Sequence, residues 1–188
     1  MVNTATRSKQ DSERFTRLYH AHHGCVLAYA SRRVGPDASQ DILAATYLAA
    51  WRRLDAVPEP ALPWLYAAAR LEIANWRRSA GREGARERAA AFSRSALTSS
   101  DPGDDIAQAD CWMAALRSLA EGDREVLCLV AWEGLSSTDA ATVLGCSATA
   151  FKVRLHRARS RLLHLVASEE SGATPSGQPI LILKEVPR

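Results

Sequence analysis

The chain has 188 residues, 47% of them apolar, with 24 basic against 21 acidic side chains and a net charge of +3. Enough apolar residues are present to build cores, which excludes a disordered chain, and the near balance of charge means that any nucleic acid must meet a local basic patch. No run approaches the roughly 18 unbroken apolar residues of a membrane span, and the start, MVNTATRSKQDSERF, lacks the apolar core of a secretory signal, so a cytoplasmic protein with no membrane insertion is expected.

In residues 12–33, Phe15, Leu18, Tyr19, His22, Val26 and Tyr29 recur at three- and four-residue steps, the stripe of an amphipathic helix. Gly35-Pro36-Asp37 ends it. A second helix is expected to start within residues 36–39, because proline suits a first helical turn, with Leu43, Tyr47, Ala50 and Leu54 on its stripe. Residues 57–63 contain three prolines and read as a loop. A third helix, residues 63–78, puts Leu65, Ala69, Ile73 and Trp76 on one side. Arg32-Arg33 and Arg52-Arg53 end helices, where cations suit the dipole.

Between residues 79 and 107 the pattern dissolves into GREGARERAAAFSRSALTSSDPGDD, which has no apolar face and reads as a linker. A second unit follows, with helical spacing in residues 106–119, 123–132, 136–144 and 147–166. No strand pattern precedes the tail. From Ser168 onward the tail reads as disordered apart from residues 180–183, Ile-Leu-Ile-Leu, a short apolar run without a readable period. The expected fold is all-α: two small helical domains joined by a flexible linker.

The sharpest signal lies in residues 123–161, where two short helices are joined by Leu144-Gly145-Cys146-Ser147 and the second continues into a long arginine-rich helix. This is the pattern of a helix-turn-helix. Gly145 can take the positive φ of a tight turn, and Ser147 can cap the next helix. At 100° per residue Phe151, Leu155, Ala158 and Leu162 form one narrow stripe that must enter the core. The opposite face is centred on Thr149, Val153, His156 and Ser160. Five basic residues, Lys152, Arg154, Arg157, Arg159 and Arg161, lie between Ser147 and Ser168 with no acidic residue among them. Such a surface suits a phosphate backbone. In helix-turn-helix docking the first turns reach base edges and later ones meet phosphates, so Thr149, Lys152 and Val153 are candidates for base contact and His156, Arg157 and Arg159 for backbone contact.

The stretch REVLCLVAWEGLSSTDAATVLGCSATAFKVRLHRARSRL resembles region 4 of extracytoplasmic-function sigma factors of the sigma-70 family, in its RExxL helix, EGLS turn, LGCS turn and KxRLHRARxRL helix. The first unit resembles region 2, with DILAATYLAAWRRL matching the polymerase-clamp segment and WLYAAARLEIANWRR the helix that faces the −10 element. The resemblance implies region 2 at residues 10–80, a linker at 81–107, region 4 at 108–167 and a C-terminal extension at 168–188. It implies polymerase binding through Asp41, Tyr47, Trp51 and Arg52, contact with −10 DNA through Asn75, Trp76, Arg77 and Arg78, and a −35 element read by region 4. Core RNA polymerase and promoter DNA are the implied partners, with an anti-sigma factor as an inhibitory one. The sequence departs from the family pattern at Ala45, Leu71 and Thr149-Ala150, where glutamate, asparagine and Gly-Thr are usual.

Other features carry less. Cys25, Cys111, Cys128 and Cys146 make no C-x-x-C pair, which argues against disulfides and a zinc knuckle, and they are expected to be buried or half-buried thiols. His20 and His23 share a helix face, but no carboxylate or cysteine completes a metal site. A phosphate loop, a readable Ser-His-Asp arrangement and paired nuclease carboxylates are all missing, so neither catalysis nor a cofactor is expected. The alternative to a sigma factor is a free-standing helix-turn-helix repressor or activator, with the first unit sensing a ligand or forming a dimer.

Overall fold

Gly35 turns the chain between its first two helices. Its backbone, at φ 82° and ψ 169°, lies where only glycine is comfortable, and its N–H donates to the Ser31 carbonyl at 2.9 Å. Pro36 then opens the next helix, where its missing N–H would have had no partner. The computed structural model describes residues 4–80 and 105–170, with side chains from 9 to 79 and from 112 to 168. These residues are helical, without a strand among them: α1 (Thr4–Val34), α2 (Pro36–Arg52), a 3-10 turn (Leu54–Ala56), α3 (Leu62–Ala80), α4 (Asp105–Ser118), α5 (Glu121–Ala131), α6 (Ser137–Leu144) and α7 (Ala148–Glu170). The chain divides into two compact units, Met1–Thr98 and Ser99–Arg188.

In the first unit α1, α2 and α3 pack against one another. The expected stripes supply the core: Val26 and Tyr29 from α1, Leu43, Tyr47 and Ala50 from α2, and Leu65, Ala69 and Ile73 from α3 are all buried. Tyr29 is fully buried, with its ring centroid 4.8 Å from that of Tyr66. Arg33, read from sequence as a helix-end cation, is drawn inward. Its guanidinium lies 3.5 Å over the Tyr29 ring, and Nη1 donates to the Tyr29 carbonyl at 3.1 Å. An arginine can be buried in this way because the ring face meets its charge and a carbonyl takes an N–H. Arg14 donates to the Val57 carbonyl at 2.9 Å and ties the proline-rich connection back to α1.

In the second unit α7 packs on α4, α5 and α6. Its side chains Phe151, Leu155, Ala158, Leu162 and Val166 are buried, the stripe expected from the 100° projection with one further turn.

Several expectations need correction. Helix α1 starts at Thr4, ahead of the apolar stripe. Helix α3 continues to Ala80 and α4 begins at Asp105, so the two ends of the expected linker are helical, while residues 81–104 lie outside the described residues. Helix α7 reaches Glu170, so the first residues of the tail extend it, and the rest of the tail is again outside the described residues. Cys25 is exposed rather than buried, because it lies off the α1 stripe, whereas Cys128 is buried and Cys146 half-buried.

Candidate nucleic-acid interface

The turn between α6 and α7 is fixed by local hydrogen bonds. Ser136 caps α6 by accepting the Asp139 N–H at 3.1 Å, and its hydroxyl donates to the Asp139 carboxylate at 2.6 Å. At the other end Gly145 adopts φ 65° and ψ 38°, so that its N–H reaches the Thr142 carbonyl at 3.2 Å and the Cys146 N–H reaches that of Ala141 at 3.0 Å. This is the Schellman arrangement that satisfies the last carbonyls of a helix. Ser147 accepts the Ala150 N–H at 3.1 Å and caps α7 as its sequence position suggests. A Cβ at Gly145 would meet nothing within 4 Å, so its only penalty is the left-handed backbone. Gly145→Ala is therefore expected to cost about 1 kcal/mol, lowering the melting temperature of the second unit by roughly 4–8 °C in a calorimetric scan.

Because Phe151 and Leu155 are buried, the outward face of α7 is determined. Thr149, Lys152, Arg154, His156 and Arg157 are exposed, and Val153 is 45% exposed, a large apolar side chain left in solvent among cations. Two of the five basic residues differ from the rest. Arg159 is half-buried with its Nε shut off from solvent, and Arg161 pairs with Asp123 of α5, so its charge is already matched within the unit. The free cationic surface is thus concentrated on Lys152, Arg154 and Arg157, toward the helix start.

At the end of α3, Asn75 and Arg78 are exposed, and the Arg78 guanidinium donates to the Asn75 side-chain oxygen. Trp76 and Arg77 are half-buried. Arg77 donates to the Arg33 carbonyl at 3.2 Å, which gives an acceptor at the end of α1 a partner. The four residues therefore divide into an exposed pair and a pair engaged with the fold.

On α2, Asp41, Trp51 and Arg52 are exposed, but Tyr47 is a correction: only 4% of it is exposed, too little to offer a contact surface. Tyr47 sits on the core stripe with Leu43 and Ala50. Its ring meets Tyr19 at 4.8 Å and Phe15 at 6.0 Å, and Phe15 in turn meets the exposed Trp51 edge-on at 5.1 Å. Burial, followed by the neighbouring Tyr19 and Cys25, holds the Tyr47 hydroxyl above the ordinary phenol range, so it stays neutral. The sequence reading missed Leu48, 48% exposed between Asp41 and Trp51 on the outward side of α2. Its signal was present: Leu48 is a leucine off the apolar stripe. Of the histidines, His23 stacks on Tyr19 at 5.1 Å. Among the described residues no helix is long and apolar enough to cross a membrane.

Comparison with known proteins agrees with this arrangement. The family model for sigma-70 region 2 matches residues 18–83, and that for sigma-70 region 4 matches residues 109–162. The chain is 32% identical over 160 residues to the RNA polymerase sigma factor NccH of Alcaligenes xylosoxydans xylosoxydans, covering 79% of this chain and 84% of NccH. It is 35% identical over 143 residues to the ECF RNA polymerase sigma factor EcfG of Rhodopseudomonas palustris, covering 72% of this chain and 77% of EcfG. Among solved structures it is similar to CnrH in complex with the cytosolic domain of CnrY, with a TM-score of 0.55 and 29% identity over 82% of this chain and 88% of CnrH. With both regions matched in order and relatives of this kind spanned over most of their length, the chain belongs to the sigma-70 family as an extracytoplasmic-function RNA polymerase sigma factor.

Proposed function

We propose that this sigma factor binds core RNA polymerase through the outward side of α2 and directs it to promoters by reading a −35 element with α7 and a −10 element with the end of α3. The observation that carries the reading is the outward face of α7, where Thr149, Lys152, Val153, His156 and Arg157 stand clear of a core fixed by Phe151 and Leu155. Its first turns carry the base-contacting candidates Thr149, Lys152 and Val153. His156 and Arg157 are suited to phosphate. Arg159, half-buried, is the weakest of the backbone candidates.

Asn75 and Arg78 are the members of the −10 group best placed to meet DNA, with Trp76 and Arg77 holding the helix end in position. On α2 the exposed residues Asp41, Leu48, Trp51 and Arg52 would form the polymerase contact, and Tyr47 would support Trp51 from beneath through Phe15. The family resemblance supports an anti-sigma factor as a further partner, and CnrH was solved with a protein bound to it.

Run-off transcription with core polymerase and a promoter library tests the reading: transcripts that depend on this protein, and on both promoter elements, are expected. Specific, tight binding of duplex DNA by the protein alone would point to a free-standing regulator instead. Lys152→Ala refines the test. Its stability should be nearly unchanged, since the side chain is exposed. A base contact would be lost as about 1–3 kcal/mol of discrimination at one base pair; a phosphate contact would lower the salt slope of binding by about one for every sequence.

A further inference from the structure

The second unit contains a pocket of about 50 Å3 between α4, α5 and α7, bounded by Trp112, Met113, Leu116, Leu127, Trp132 and Leu162. One water needs only about 10–15 Å3, so there is room for an aliphatic side chain, and walls of this kind offer water few partners. The pocket thus lacks an apolar filling, which an aliphatic peptide segment would supply.

We infer that residues 180–183 of this chain, Ile-Leu-Ile-Leu, dock in this pocket of their own unit. The segment lies outside the described residues; its composition and its reach from α7 suit it to the pocket. It is the one uninterrupted aliphatic run after α7, and the nine residues before it, SGATPSGQP, carry no charge and no bulky side chain. Leu162, part of the pocket wall, lies eight residues before Glu170, where α7 ends, about 12 Å along the helix. Residues 171–179 can span up to roughly 30 Å, more than enough to return that distance. Docking within the chain also avoids the loss of translational freedom that a separate partner would incur.

The test uses the full chain labelled with 15N at its tryptophans, with the Trp112 and Trp132 indole signals assigned through Phe variants. Deleting residues 171–188, or substituting Ile182→Asp in the full chain, should shift the Trp112 and Trp132 indole resonances and leave those of Trp51, Trp64 and Trp76 in place. Adding a synthetic peptide of residues 176–188 to the shortened chain should restore them. Unmoved Trp112 and Trp132 signals in the shortened chain overturn the inference. Shifts confined to the first-unit tryptophans overturn it too, since the segment would then dock elsewhere. Shifts that change with protein concentration would assign the pocket to a second copy and overturn docking within one chain. None of these readouts involves transcription, so the outcome is independent of the promoter-reading proposal.

Discussion

Phe151→Ala is expected to unfold the second unit at ordinary temperature. The ring is fully buried at the start of α7, where that helix meets its neighbours. Truncating a buried phenylalanine costs about 3–5 kcal/mol, from lost transfer free energy and from the cavity left behind. A core of this size supplies roughly 3–5 kcal/mol in total, so the loss is comparable to everything the unit has. Melting followed by circular dichroism should show the second transition gone or displaced below 25 °C, and promoter-dependent transcription should vanish with it. Lys152→Ala, one residue on and about 100° around the helix, should leave that transition in place. The reverse pattern, a stable Phe151→Ala and an unfolded Lys152→Ala, would mean that α7 is rotated and that the assigned reading face is wrong.

Tyr29→Ala should have an effect of similar size on the first unit, for two reasons. It removes a fully buried ring packed against Tyr66, and it strips the face on which the Arg33 guanidinium rests. The cavity alone costs about 3–5 kcal/mol. A buried cation deprived of its apolar support adds to that, because it must be rehydrated or held less well. Loss of the first thermal transition and of co-purification with core polymerase is the expected result. Tyr29→Phe keeps the ring and should be far milder. In the double variant Tyr29→Ala/Arg33→Met the destabilisation should be less than the sum of the two single effects, because the arginine no longer needs the ring. Strict additivity would show that the stacking contributes nothing.

What could be read from the sequence follows from the range of the interactions concerned. The inward faces of α2, α3 and α7 were legible because each is a local period, and Leu43, Leu65, Phe151 and Leu162 are buried as projected. The turn at Gly145 was legible for the same reason, since its chemistry is contained in four residues. The start of α1 was not, because its first turns are polar all round and carry no stripe to count. Charge pairing was less visible still. Arg161 and Asp123 are 38 residues apart, and Arg77 reaches the carbonyl of Arg33 across 44, so neither could be found by spacing. Tyr47 shows a different limit. Its own period placed it on the core stripe, and only the resemblance made it a contact residue; the local signal was the better guide to its burial.

The division of α7 into a buried side and an outward side has a consequence for how such a protein can change. Residues that hold the unit together, Phe151, Leu155, Ala158 and Leu162, are different residues from those that stand outward, Thr149, Lys152, Val153, His156 and Arg157. Substitutions on the outward side therefore cost little stability. Selection, or an engineer randomising those five positions, can explore new surfaces while the scaffold stays folded, and lineages that share one helical frame can diverge on that side without passing through unfolded intermediates.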